Sequence, residues 1–129
     1  MKAMRTLLLA GLLVGCGSDA TSPLDAFQPE ISNVVDNFQL QASDVVDVAG
    51  ILEYSWTNTG TVATVDHSTT VSAGSVRVII EDAAGSVVYD AALEASKNEA
   101  TGTGQSGDWT IRLILVDYDG TLNFRVQKS

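Results

Sequence analysis

The sequence predicts an all-β protein, an antiparallel β-sandwich of about seven short strands. Three observations carry that prediction. From Phe38 onward, large apolar residues recur at every second position in run after run, the period of a strand with one buried face. Glycine, asparagine and aspartate cluster between the runs, where tight turns need them. Only Ala91–Ala100 (AALEASKNEA) has helical composition.

The elements follow in chain order. Phe38, Leu40 and Ala42 alternate with Gln39 and Gln41; Leu52, Tyr54 and Trp56 alternate with Glu53, Ser55 and Thr57. Asn58-Thr59-Gly60 closes that run as a turn, and the β-branched stretch Val62–Val71 is a further strand. Val76, Val78 and Ile80 share one face, and Asp82-Ala83-Ala84-Gly85 turns the chain into Val87, Tyr89 and Ala91. Ala91–Ala100 either holds one or two helical turns or continues the Tyr89 strand into a loop, and Thr101–Gly107 (TGTGQSG) is a flexible loop. Trp109, Ile111, Leu113 and Leu115 form the next row, and Leu122, Phe124 and Val126 the last. Asp119-Gly120 between them reads as a hairpin. Two sheets then meet over Trp56, Trp109, Phe124 and the aliphatic rows.

Before these strands, Lys2 and Arg5 precede a continuous apolar run, Leu7–Val14, in a chain of 129 residues. The run is too short to span a bilayer, which takes about 20 apolar residues. A basic start, a short apolar core and a small residue before a cut are the layout of a secretory signal. Leu13-Val14-Gly15-Cys16 resembles the lipobox of bacterial lipoproteins. The resemblance implies that the Cys16 thiol carries a diacylglyceryl group and that cleavage falls between Gly15 and Cys16. Two or more acyl chains anchor stably where one does not. Gly17, in place of the inner-membrane-retaining aspartate of many such proteins, points to the outer membrane. The expected division is therefore a signal peptide at 1–15, a lipidated cysteine and tether at 16–30, and a β-sandwich domain at 31–129. Gly17–Glu30, broken by Pro23 and Pro29, spans at most ~50 Å extended and roughly 20 Å as coil. In the alternative, Leu24 and Phe27 dock on the domain.

Cleavage would leave five basic residues (Arg77, Lys97, Arg112, Arg125, Lys128) against sixteen acidic ones. That balance argues against nucleic acid, whose phosphates need clustered Lys and Arg, and against lying flat on anionic lipid. Cys16 is the only cysteine, so once it is lipidated no disulfide, thiolate nucleophile or cysteine zinc site is left.

Leu52–Thr61 (LEYSWTNTGT) resembles the strand and turn of Ig-like bacterial adhesion modules of the CARDB type. Gly107–Leu113 with Asp119–Phe124 is similar to the last hairpin of extracellular sandwich modules, among them the P-domain modules of secreted proteases. Both resemblances imply an Ig-like, non-catalytic extracellular β-sandwich, and neither transfers a binding site.

Little catalytic chemistry is legible. His67, the only histidine, could join Asp66 and a serine in a triad, but no Gly-x-Ser-x-Gly elbow accompanies it. A zinc site needs three or four converging ligands. Asp117-Tyr118-Asp119-Gly120 opens like a calcium loop, yet the glycine comes too early. Asp117 or Asp119 could still hold calcium with Asp82 or Asp108. Trp56, Trp109, Tyr54 and Tyr89 share their strands' apolar register, which favours the core over a sugar platform. Tyr118, at the turn tip, is then the aromatic expected outside. Arg112 and Arg125, on the polar face of the last hairpin with Asn123 and Gln127, mark either a solvated face or a partner surface. Ile114 and Val116 beside Arg112 make that face partly apolar.

The expectation is a lipid-anchored, non-catalytic module of the bacterial cell envelope that binds or scaffolds another envelope protein. It has no cofactor beyond the lipid on Cys16. Alternatives are a glycan- or calcium-binding module on the same anchor and, third, a small hydrolase.

Overall fold

A computed structural model describes residues 22–129; the apolar run Leu7–Val14 and Cys16, and with them the expected signal peptide and lipidation site, lie outside the described residues. The fold is all-β, with seven antiparallel strands in one sheet. They are β1 (Glu30–Val34), β2 (Asn37–Asn58), β3 (Ala63–His67), β4 (Thr70–Glu81), β5 (Val87–Ala92), β6 (Lys97–Ala100) and β7 (Gly107–Lys128).

Two of these strands, β2 and β7, are 22 residues long, far beyond the usual 5–6 or so. They run antiparallel from Asn37↔Gln127 to Asn58↔Gly107 and bend midway. The bend makes the sandwich. One layer holds β1, the first half of β2, the second half of β7, β3 and β6. The other holds the second half of β2, the first half of β7, β4 and β5. The two layers are therefore halves of a single sheet, joined through strands that pass from one to the other at a corner.

The core lies between them. Phe38, Leu40, Leu122, Phe124 and Val126 of the first layer face Trp56, Trp109, Ile111, Leu113 and Ile80 of the second, all buried. Phe38 sits 5.1 Å from Tyr54 across the gap, and Trp56 meets Trp109 edge-on at 5.9 Å. Each such side chain contributes about 1.5–3 kcal/mol by leaving water. The indoles spend their N–H groups on backbone carbonyls, Trp56 on Val34 and Trp109 on Gln105.

The corner has a chemical signature. Asp44, Asp47 and Asp117 hold positive φ angles of 54°, 53° and 45°, a region that aspartate tolerates better than most residues. Register shifts occur between Ala42 and Val45, Val45 and Val48, and Val48 and Gly50. Each bulge sends two successive residues outward and bends the strand. Gly74 on β4 has φ 71°, and a Cβ there would run into the backbone carbonyls of Val116 and Asp117.

Two expectations are corrected here. Asp119-Gly120 does not turn the chain back; β7 continues through it to Lys128. The apolar parity changes between Leu115 and Leu122, which a hairpin or a bulge can each accomplish, and here it is a bulge. Ala91–Ala100 contains no helix and supplies the end of β5 and the whole of β6. Leu24 and Phe27 dock on the domain, the alternative reading of that segment. Leu24 is fully buried in the core, and a 3-10 turn at Asp25–Phe27 packs against β2.

Candidate functional site

The outer face of the second layer is built by cross-strand rows. Leu52, Leu113 and Leu115 point inward, so their neighbours Ile51, Glu53, Arg112, Ile114 and Val116 point out. Glu53 stands opposite Arg112, and Ile51 opposite Ile114. Arg112 bridges two strands, bonding Glu53 on β2 at 2.6 Å and Glu81 on β4 at 3.3 Å. Those bonds, the Glu53 one foremost, raise its guanidinium above the ordinary value. Arg77 pairs with Asp90 at 2.8 Å on the same face. Beside these neutralised charges lies an apolar strip, with Ile51 62% exposed, Val116 51% exposed and Ile114 half-buried between them. Wet faces of antiparallel sheets are normally polar.

The strip leads to the corner. There the bulges turn Asp44, Val46, Asp47, Val116 and Asp117 to solvent. The Asp119 carboxylate accepts the Asp47 backbone N–H, and Thr121 Oγ1 accepts that of Asp44. A groove of about 400 Å³ follows, lined by Asp44, Val46, Thr70, Ser72, Asp119 and Thr121 among others. Every basic residue among the described ones is already paired: Arg77, Lys97, Arg112, Arg125 and Lys128 each meet a carboxylate. Asp44, Asp47, Asp117 and Asp119 enter no ion pair among the described residues.

The sequence-predicted residues disperse. Arg125 lies on the outer face of the first layer, 3.5 Å from Asp66, because the bulge at Val116–Asp117 separates it from Arg112 along one strand. Tyr118 is not exposed: it is fully buried and its hydroxyl donates to the Thr70 carbonyl at 2.6 Å. Burial pushes its pKa up to about 12. A turn tip would have placed it in water; a bulged strand turns it into the core.

Asp82 and Asp108 do not join Asp117 and Asp119. Asp82 is buried at the β4–β5 turn, where its carboxylate accepts the N–H groups of Ala84, Ser86 and Gln105. Those bonds, Ser86 first and Gln105 next, hold it below the usual carboxylate range. Asp108 takes the Thr57 hydroxyl at the start of β7. Among the described residues no group of three or more His, Cys, Asp or Glu side chains is placed to hold a metal ion. Asp44 and Asp47 are the acids that do approach Asp119, and sequence spacing alone did not associate them.

His67 is 3% exposed on the inner face of β3, and neither ring nitrogen has a hydrogen-bond partner among the described residues. Asp66, the next residue, points to the opposite face and to Arg125, so the two do not form a dyad. Burial, then Lys97, holds the imidazole below its ordinary pKa. Tyr54 and Tyr89 are half-buried against the core, and the Tyr89 hydroxyl donates to Glu99.

Compared with models of protein families and with curated proteins, the chain matches none. Among the described residues no helix is long and apolar enough to cross a membrane.

Proposed function

We propose that the protein is a lipid-anchored, non-catalytic β-sandwich of the bacterial cell envelope that binds or scaffolds another envelope protein. The Leu13–Cys16 motif supports the anchor, with Cys16 as the acylated residue and Gly15 on the other side of the cut; Gly17 favours the outer membrane. The binding role rests on one observation, the exposed strip of Ile51, Ile114 and Val116 on an otherwise ion-paired sheet face. Exposed apolar surface rimmed by polar groups is the physical mark of a contact face.

Each half has its own test. Metabolic labelling with a clickable palmitate should mark the wild-type chain and not Cys16→Ala; label that persists after the substitution overturns the anchor. A photocrosslinking residue at position 51 should capture an envelope protein in cells, while one at position 39, on the other layer's outer face, should not. Equal capture from both positions, or none from 51, overturns the contact face.

A further inference from the structure

We propose that the strip and the corner beside it dock a short polypeptide segment that is apolar at one end and basic at the other. This rests on the binding-module reading above and gives its partner a chemistry. Ile51, Ile114 and Val116 would take the apolar side chains. The groove lined by Asp44 and Asp119, with the exposed Asp47 and Asp117 of the same corner, would take lysine or arginine.

Charge complementarity selects this occupant. The corner carboxylates lack a counter-cation because all five described basic residues are engaged elsewhere, so an incoming cation would displace no existing pair. The same acids, on a chain of net charge −9, repel a second copy of this protein and an anionic lipid surface. Hydroxyls of Thr70, Ser72 and Thr121 line the groove and can accept further N–H groups from a guanidinium or ammonium.

The probe is a short synthetic peptide in which a Leu-Val-Leu run is followed by two lysines, with a twin carrying glutamates instead. The full chain, held by a C-terminal tag, is titrated with each. The lysine peptide should bind, and the glutamate twin should not. Ile51→Ser with Ile114→Ser should weaken binding roughly tenfold. Asp44→Asn with Asp47→Asn and Asp117→Asn should weaken it by a similar factor, and raised salt should mimic that second loss. Asparagine also accepts positive φ, so the corner keeps its backbone. The near-ultraviolet signal of Trp56 and Trp109 checks that each variant is folded. Equal binding of both peptides, or lysine-peptide binding that survives the aspartate substitutions, overturns the proposal. Capture at position 51 of a partner that competes with neither peptide overturns it too, while leaving the binding module intact; loss of all capture at 51 removes both.

Discussion

The Asp119 carboxylate accepts the backbone N–H of Asp47 at 2.6 Å, so a side chain of β7 fills the gap that a bulge opens in the β2 ladder. A bulge withdraws the partner that strand pairing would supply, and at this exposed corner the carboxylate competes with water for the N–H. Asp119→Ala should cost about 1 kcal/mol, while Asp119→Asn, which keeps an acceptor oxygen, should cost less. Urea midpoints of the two variants distinguish these outcomes; an unchanged midpoint for the alanine variant shows that water serves Asp47 equally well.

Gly74 carries a second test of the corner. Its φ is 71°, and an added Cβ would meet the Val116 and Asp117 carbonyls. Gly74→Ala should therefore lose at least about 2 kcal/mol, and its thermal midpoint should fall well below that of Gly85→Ala. Gly85 also has a positive φ, but a Cβ there meets nothing within 4 Å. Similar midpoints for the two variants would assign the cost to backbone conformation alone.

Tyr118 gives an alkaline signature. Burial raises its pKa from 10.0 to about 12, so the folded state favours the neutral phenol. The stability it contributes is complete below pH 10 and is lost as pH rises toward 12. Tyr118→Phe should cost about 1 kcal/mol at neutral pH through the lost bond to Thr70. It should also flatten the decline of stability between those pH values. A wild-type curve and a variant curve that fall in parallel would remove Tyr118 as the cause.

His67 works in the opposite direction. Its pKa is lowered below 6.5, by burial and then by Lys97, with Asp66 and Glu99 opposing. Its contribution is full above pH 6.5 and drains as pH falls through the depressed value. Because neither nitrogen is bonded among the described residues, His67→Leu leaves no orphaned partner behind. That variant should match the wild type at pH 7 and exceed it in urea midpoint at pH 5. A leucine variant that is weaker at both would mean that the imidazole makes contacts worth more than its desolvation.

Much of this fold can be read from alternation. The rows ending at Ala42, Trp56, Ile80, Leu115 and Val126 all supply the core, because a one-residue slip would expose a whole row. The corner is harder to read. Ser43-Asp44-Val45, Val46-Asp47-Val48 and Val116-Asp117-Tyr118 share one form, an outward residue, a left-handed aspartate and an inward apolar residue. That threefold triplet is visible in the sequence, but aspartate before an apolar residue equally suits a turn. The choice between turn and bulge depends on which strands pair, and pairing of Asn37 with Gln127 is settled by the whole core. The candidate surface is half legible: alternation puts Ile114 and Val116 beside Arg112, whereas Ile51 and the acids of β2 join them only through the β2–β7 register. Leu24 is legible as an apolar residue free to dock, and its burial comes with the Asp25–Phe27 turn that packs against β2.

That β2 and β7 each run through both layers constrains how the chain acquires its structure. Partners such as Asn37 and Gln127 lie almost the whole domain apart in sequence, and neither layer holds together without β7. Loop closure over that span is slow, and contacts so distant form late. A chain threaded across a membrane with its N-terminus leading would thus emerge strand by strand without closing a core. It would fold only once Gly107–Lys128 had arrived. For a chain carried across a membrane unfolded, delivery before folding would then be written into the topology itself.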